Sequence, residues 1–311
     1  MYSGNIIPMN KLTTKKRAQI LSMLVEGMSM RSITRITGVS INTVAKLLSD
    51  AGEACADYHE WNVRGVKGNR RIEADEIWSF CYAKERAVPG ALNAPEGAGD
   101  VWTWTAIDAD SKLMLSYHVT NSRDGESALV LMDDLRKRLE DRPQITTDGL
   151  KAYIEAVEES FGAGVDYAQV IKEYGQSADG HSQERRYSPA VCTKIEKRKI
   201  EGNPDLKKAN TTHVERHNLS MRMGMRRFTR LTNAFSKRIE KHAAMVALFA
   251  LHYNFCRIHT TIKVTPAMEA GLDHTVRDCE WIVGLIDDMA PEPRKPGPKP
   301  GAKYGKRQKS N

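Results

Sequence analysis

Residues 71–83, R-I-E-A-D-E-I-W-S-F-C-Y-A, alternate with the period of two that a half-buried strand requires. Two further stretches, V-W-T-W-T-A-I-D-A (101–109) and K-L-M-L-S-Y-H-V-T (112–120), repeat that pattern. Between them D-A-D-S (108–111) has the composition of a hairpin turn. Residues 84–100 are rich in Ala, Gly and Pro and read as a loop. The period changes over 125–140, where Ala128, Leu131, Met132 and Leu135 share one helical face. Pro143 then opens a short strand, Q-I-T-T-D (144–148), which runs into a helix over about 149–160. Antiparallel strands first and a parallel strand added later through a helix predict an α/β domain.

Upstream of the sheet the pattern is all helical. Ile20, Leu21, Leu24 and Val25 recur at helical spacing from Thr14 until Gly27. Then comes M-R-S-I-T-R-I-T-G-V-S-I-N-T-V-A-K-L-L (30–48), a short helix, a turn at Gly38 and a second helix capped by Ser40. Its apolar face is Val44, Leu47 and Leu48, which leaves Ser40, Asn42, Thr43 and Lys46 exposed. In a helix-turn-helix those positions face base edges and phosphates in the major groove. Residues 1–60 are therefore expected to be a DNA-binding helix-turn-helix domain, with 71–286 as a catalytic domain.

Downstream, a strand over V-D-Y-A-Q-V-I (165–171) is expected within 162–210, which otherwise reads as an irregular insertion. Helical pattern returns at Thr212–Met223 and over Asn233 to about Cys256. Residues 287–311 are too rich in Pro, Gly and Lys to bury anything and should be a disordered basic tail. No internal repeat is visible.

The chain has 311 residues with 47 Lys plus Arg against 39 Asp plus Glu, a net charge of +8. The excess is concentrated: residues 1–70 carry +5, residues 216–241 carry +7 and residues 291–311 carry +6, which leaves the rest at −10. A basic head, stripe and tail around an acidic body form an electrostatic footprint for a polyanion. The longest apolar run, Ala243–Leu251, is half of what a bilayer span needs, and the N-terminus has no secretory pattern. Five scattered cysteines without a C-x-x-C pair fit neither a disulfide framework nor a zinc site and suit a reducing cytoplasm.

Three acids stand where a phosphoryl-transfer site would place them. Asp75 lies mid-strand, Asp148 ends the Q-I-T-T-D strand, and Glu215 sits on the helix H-V-E-R-H-N. If the fourth strand lies beside the first, Asp75 and Asp148 face one another and a helix packed there supplies the third. Carboxylates without Cys or His make a hard oxygen site for Mg²⁺ or Mn²⁺. Two such ions serve both the attacking and the leaving oxygen of an in-line displacement. Glu76 competes with Asp75, but alternation points it to the other face of the strand. His213 and His217 flank Glu215 at i−2 and i+2 and read as surface or DNA-facing. Trp78, Trp102 and Trp104 read as sheet residues.

The blocks A-D-E-I-W-S-F (74–80), G-D-V-W-T-W-T-A-I-D-A-D (99–110), Q-I-T-T-D-G-L-K-A-Y (144–153), V-E-R-H-N-L-S-M-R-M-G-M-R-R-F-T-R-L-T-N-A-F-S-K (214–237) and H-Y-N-F-C-R-I-H (252–259) resemble the transposases of the IS-one insertion-sequence family. The similarity runs from about Met9 to Ile286 and marks Met9 as a second candidate start. It implies an RNase H-like catalytic core, with Asp75, Asp148 and Glu215 as the metal-binding triad. It also implies DNA as partner, both terminal inverted repeats and target, and a homo-oligomeric synaptic complex on the bacterial nucleoid. Unlike many members, this chain has no cysteine set for an N-terminal zinc finger. Such an enzyme hydrolyses a phosphodiester and then exchanges one phosphodiester for another, so it needs no nucleotide cofactor.

Arg216, Arg222, Arg226, Arg227 and Arg230 follow Glu215 directly and are expected to hold phosphates near the metals. Arg257, with Asn254 and His259, reads either as a helix-end hydrogen-bonding cluster or as a DNA contact. Two alternatives stay open: a catalytically inactive repressor of its own element, and an RNase H-like nuclease that only hydrolyses.

Overall fold

The computed structural model describes residues 11–175, 192–229 and 233–290. Of the tail expected over 287–311, residues from 291 onward lie outside the described residues, whereas 287 and 288 close the last helix and Asp287 is bonded to Arg17. Among the described residues six strands form one sheet: β1 (Arg71–Cys81), β2 (Gly99–Asp108), β3 (Met114–Thr120), β4 (Gln144–Thr147), β5 (Asp166–Tyr174) and β6 (Cys192–Glu201). Their order is β3-β2-β1-β4-β5-β6. The first three strands are antiparallel, β4 and β5 are parallel to β1, and β6 returns antiparallel at the edge. This mixed sheet with helices on both faces is the RNase H-like arrangement.

The hairpin between β2 and β3 is built by its acid. Asp108 is fully buried and accepts hydrogen bonds from the Asp110 and Ser111 amides and the Ser111 hydroxyl. Helix α4 (Gly125–Arg138) starts at an Asp124 cap and buries Ala128, Leu131, Met132 and Leu135. Helix α5 (Ala152–Phe161) follows β4 on the same face. On the other face lie α6 (Thr212–Gly224) and α7 (Ile239–Leu251), which continues as a π-helical turn over His252–Cys256. Alternation along β1 serves both faces. Glu73, Asp75 and Ser79 contact α6 and α7, whereas Glu76 reaches Tyr153 on α5.

Three helices precede the sheet: α1 (Thr14–Val25), α2 (Met30–Thr37) and α3 (Ile41–Asn62). Gly38 ends α2 at φ 71°, a left-handed conformation that costs glycine nothing, and Ser40 Oγ accepts from the Thr43 amide to cap α3. These helices share one continuous hydrophobic core with the sheet layers. Helix α3 packs on α7 where Gly52 meets Ala244: an added Cβ at Gly52 would lie 2.4 Å from the Ala244 Cβ. Helix α1 packs on the C-terminal α9 (Cys279–Asp288), and Arg17 grips Asp287 with bonds of 2.6 and 2.7 Å. Between α7 and α9 lies the short α8 (Pro266–Glu269).

Two expectations need correction. Residues 192–201 are not irregular but form β6, paired with β5 over its whole length. The strand escapes the alternation test because it is an edge with charged residues on both faces, a common way of blunting an edge. The long helix begins at Ile239 rather than Asn233, with Ser236 buried ahead of it.

Candidate active site

The site lies where β4 ends beside the middle of β1. Parallel pairing stops at Ala74 opposite Thr147, so Asp148 emerges next to Asp75. The turn after Asp148 is fixed locally: Asp148 Oδ1 accepts from the Leu150 amide at 2.9 Å, and the Leu150 carbonyl accepts from Gln169 on β5. Gly149 allows this close approach, since a Cβ there would lie 3.1 Å from Ile171.

Asp75 is held from α6. Asn218 donates Nδ2–H to Asp75 Oδ2 at 2.8 Å, and its own Oδ1 accepts from Thr105 Oγ1 at 3.3 Å. Glu73, two residues earlier on the same face of β1, accepts from the His213 and Val214 amides at 2.7 and 3.0 Å. It thereby caps the helix that carries Glu215, an arrangement the helix dipole favours. Sequence reading missed both residues. The signals were available: Asn218 follows Glu215 by three and shares its helical face, and Glu73 shares alternation with Asp75.

Electrostatics mark this spot as short of positive charge. Burial and the neighbouring Glu76 and Asp148 carboxylates raise the Asp75 pKa to about 7. Burial also raises Glu73 to about 7 against the pull of its two amide donors. Glu76 is raised chiefly by burial and then by Asp148.

Among the described residues, one carboxylate oxygen each from Asp75, Glu76 and Asp148 lies within 4.8 Å of the others. Glu215 is outside that set. It accepts from Thr211 Oγ1 at 2.6 Å and pairs with Lys172 of β5, yet stands near enough to raise Asp75. The exclusion of Glu76 by strand alternation does not hold. Its side chain does start on the opposite face, bonded to Arg123 and to the Tyr153 hydroxyl. Because β4 stops at Thr147, no strand separates it from Asp148, and its carboxylate reaches the cluster.

One of the two histidines also differs from expectation. His217 is buried against Phe249 and Tyr253, and burial lowers its pKa to about 3, so it faces the core and not DNA. His213 is half-buried beside Lys112 Nζ at 3.1 Å. Trp104 is core, stacked edge-on with Tyr153, whereas Trp102 and Trp78 stay half-exposed beneath Arg123 and Lys84.

Of the basic residues, Arg216 and Arg226 are exposed and Arg222 is half-buried. Arg227 is half-buried, bonded to Ser236 Oγ at 2.9 Å with its pKa lowered by burial to about 10, and it lines the groove beside Arg226. Arg230 lies outside the described residues. Arg257 is exposed, but Asn254 is fully buried and exchanges two hydrogen bonds with the Met114 backbone, so it anchors the helix end to β3. Ser40, Asn42, Thr43 and Lys46 are all exposed at the start of α3. A groove of about 770 Å³ joins Asn42 and Arg31 to Arg226, Lys237 and Lys241.

Residues 98–219 match a family model of the DDE domain, DDE_Tnp_IS240, a span that includes Asp148 and Glu215 and begins after Asp75. No curated protein matches the sequence. Among solved structures, the chain is similar to one in a simian T-cell lymphotropic virus intasome complex with a PP2A regulatory subunit. Identity is 14%, coverage is 93% of this chain and 80% of that one, and the TM-score is 0.37. A piggyBac transposase synaptic complex with hairpin DNA is similar at 10% identity, covering 90% and 73%, with a TM-score of 0.36. A Mos1 mariner paired-end complex with Mn is similar at 12% identity, covering 52% of this chain and 59% of that one, with a TM-score of 0.22. Among the described residues no helix is long and apolar enough to cross a membrane.

Proposed function

We propose that this chain, a DDE transposase of an insertion-sequence family, belongs to the IS-one group and moves its element with Asp75, Asp148 and Glu215 as metal-holding acids. The observation that carries the reading is the meeting of Asp75 with Asp148, which lies within a DDE-domain match. The donor set fits the metal this chemistry uses. It is all carboxylate oxygen, and the raised Asp75 pKa reports a charge deficit that a divalent cation relieves. When bound, two Mg²⁺ or Mn²⁺ ions would activate the attacking oxygen and stabilise the leaving one.

The protein groups supply placement. Asn218 sets the rotamer of Asp75, the Leu150 amide sets that of Asp148, and Glu73 fixes the start of α6 so that Glu215 faces the sheet. Arg216, next to Glu215 and exposed, is placed to hold a DNA phosphate beside the acids. The start of α3 is the base-reading element, by way of Ser40, Asn42, Thr43 and Lys46. Terminal inverted repeats and target DNA are the partners, within a homo-oligomeric synaptic complex.

A strand-transfer assay with the element's own terminal repeats and Mg²⁺ or Mn²⁺ tests this. Asp148→Asn should abolish both nicking and joining, because an amide cannot bridge metal ions. Full activity in that variant refutes the site. Sequence-specific binding without nicking at any metal concentration would restore the repressor reading. Cleavage without joined strands would restore the hydrolase.

A further inference from the structure

We propose that Glu76 is a metal ligand in its own right, and that the DNA-free protein binds its cation through Asp75, Glu76 and Asp148 while Glu215 is held aside by Lys172. The inference rests on the metal-dependent reading above and deepens it. Three observations carry it. The three oxygens already lie within 4.8 Å of one another, the span of ligands around a single ion. The Glu76 side chain is 2% exposed and tethered at both oxygens, by Arg123 to Oε1 and by the Tyr153 hydroxyl to Oε2 at 3.1 Å. A carboxylate has about four lone-pair positions, so the two Arg123 bonds to Oε1 and the one Tyr153 bond to Oε2 fix its direction and still leave Oε2 donor capacity for a cation. The third acid of the triad is engaged elsewhere: Glu215 Oε1 takes both the Lys172 ammonium and the Thr211 hydroxyl.

The consequence is a division of labour. Glu76 supplies a preformed site, whereas Glu215, held outside that group by Lys172, joins when Lys172 exchanges its carboxylate for another anion. A DNA phosphate is the anion the reaction brings. The Lys172 ammonium is then left beside that phosphate, where its charge is of use.

The experiment is Mn²⁺ binding by calorimetry to the full chain without DNA, comparing wild type with Glu76→Gln, Asp148→Asn and Glu215→Gln. Glu76→Gln and Asp148→Asn should each weaken Mn²⁺ binding at least tenfold, and Glu215→Gln should leave it within twofold. Unchanged affinity in Glu76→Gln with loss in Asp148→Asn would overturn the Glu76 assignment alone. Unchanged affinity in both would overturn the metal site itself. A second measurement needs no variant to fold: Fe²⁺ bound in place of Mn²⁺ cuts the backbone nearby under peroxide and ascorbate. Cuts at 75–76 and 148, without cutting at 215, are expected in the DNA-free wild type. Cutting at 215 as strong as at 148 would overturn the displaced position of Glu215.

Discussion

Asn218→Ala removes one neutral side chain and should cost the enzyme most of its rate. Asn218 is 7% exposed and gives Asp75 a hydrogen bond of 2.8 Å. A hydrogen bond to a charged group is worth about 1.5–3 kcal/mol. If that energy is expressed only when Asp75 holds metal against the reacting phosphate, the rate falls about ten- to a hundredfold. The truncation also removes the acceptor of Thr105 Oγ1, which retains the Asp75 carbonyl at 3.3 Å, so little further cost arises there. Single-turnover nicking of a terminal-repeat duplex in Mg²⁺, at saturating protein, reads the effect directly. Asn218→Asp should be worse, since it places a fourth acid against a carboxylate already short of cationic partners. Mn²⁺ affinity should fall in parallel, whereas a purely structural loss would lower the thermal midpoint and leave affinity intact. A nicking rate within twofold of wild type in Asn218→Ala would refute the positioning role.

Other outcomes follow from the same geometry. In metal-free protein, Asp75 stabilises the fold only while protonated, because its folded value of about 7 lies above its ordinary 3.8. That contribution is full below about pH 4 and is lost as pH rises through 7. In urea unfolding, the difference between wild type and Asp75→Asn should fall between about pH 4 and 8, and the fall should vanish in Mg²⁺. His59, His217, His242 and His252, all lowered by burial, make total stability rise with pH below about 6.5. Gly52→Ala drives a methyl into Ala244 and should destabilise the chain by about 1–3 kcal/mol. The loss should move one cooperative transition; a separate early transition for residues 14–62 would contradict the shared core. Asn42→Ala should narrow the affinity gap between terminal-repeat and random DNA, by about 1–3 kcal/mol for a bidentate base contact. Arg226→Ala should weaken both DNAs equally and lower the salt slope by about one, and isotherms at several salt concentrations separate the two.

The sequence was most legible where one physical constraint acts alone. β1 over 77–81 and β2 over 99–103 bury alternate residues, and Asp124, Ser40 and Thr13 cap their helices by the side chain that residue type supplies. Asp75 and Asp148 follow from strand order, because a parallel β4 beside β1 leaves little choice of neighbour. Legibility failed where tertiary context overrides local pattern. Glu76 is on the opposite face by alternation, and only the early end of β4 opens a path to Asp148. His217 is a polar residue that its neighbours bury, so a helix-surface reading cannot place it. The pairing of Glu215 with Lys172 joins residues 43 positions apart, beyond any local rule.

Helix α3 has a mechanical consequence. Its 22 residues run unbroken from the Ser40 cap to the sheet, where the buried His59 ring meets the Met114 carbonyl. At 1.5 Å per residue the rod is about 33 Å long, close to the roughly 34 Å of one turn of B-DNA. Clamped by α7 along its middle, it is a fixed ruler and not a tether. With the base-reading role proposed for its first turn, a duplex held at one end of such a ruler presents its phosphates to the acids at a set rotational phase. Inserting five base pairs between the recognised sequence and the scissile phosphate turns that phosphate to the far side of the duplex, while ten bring it back round.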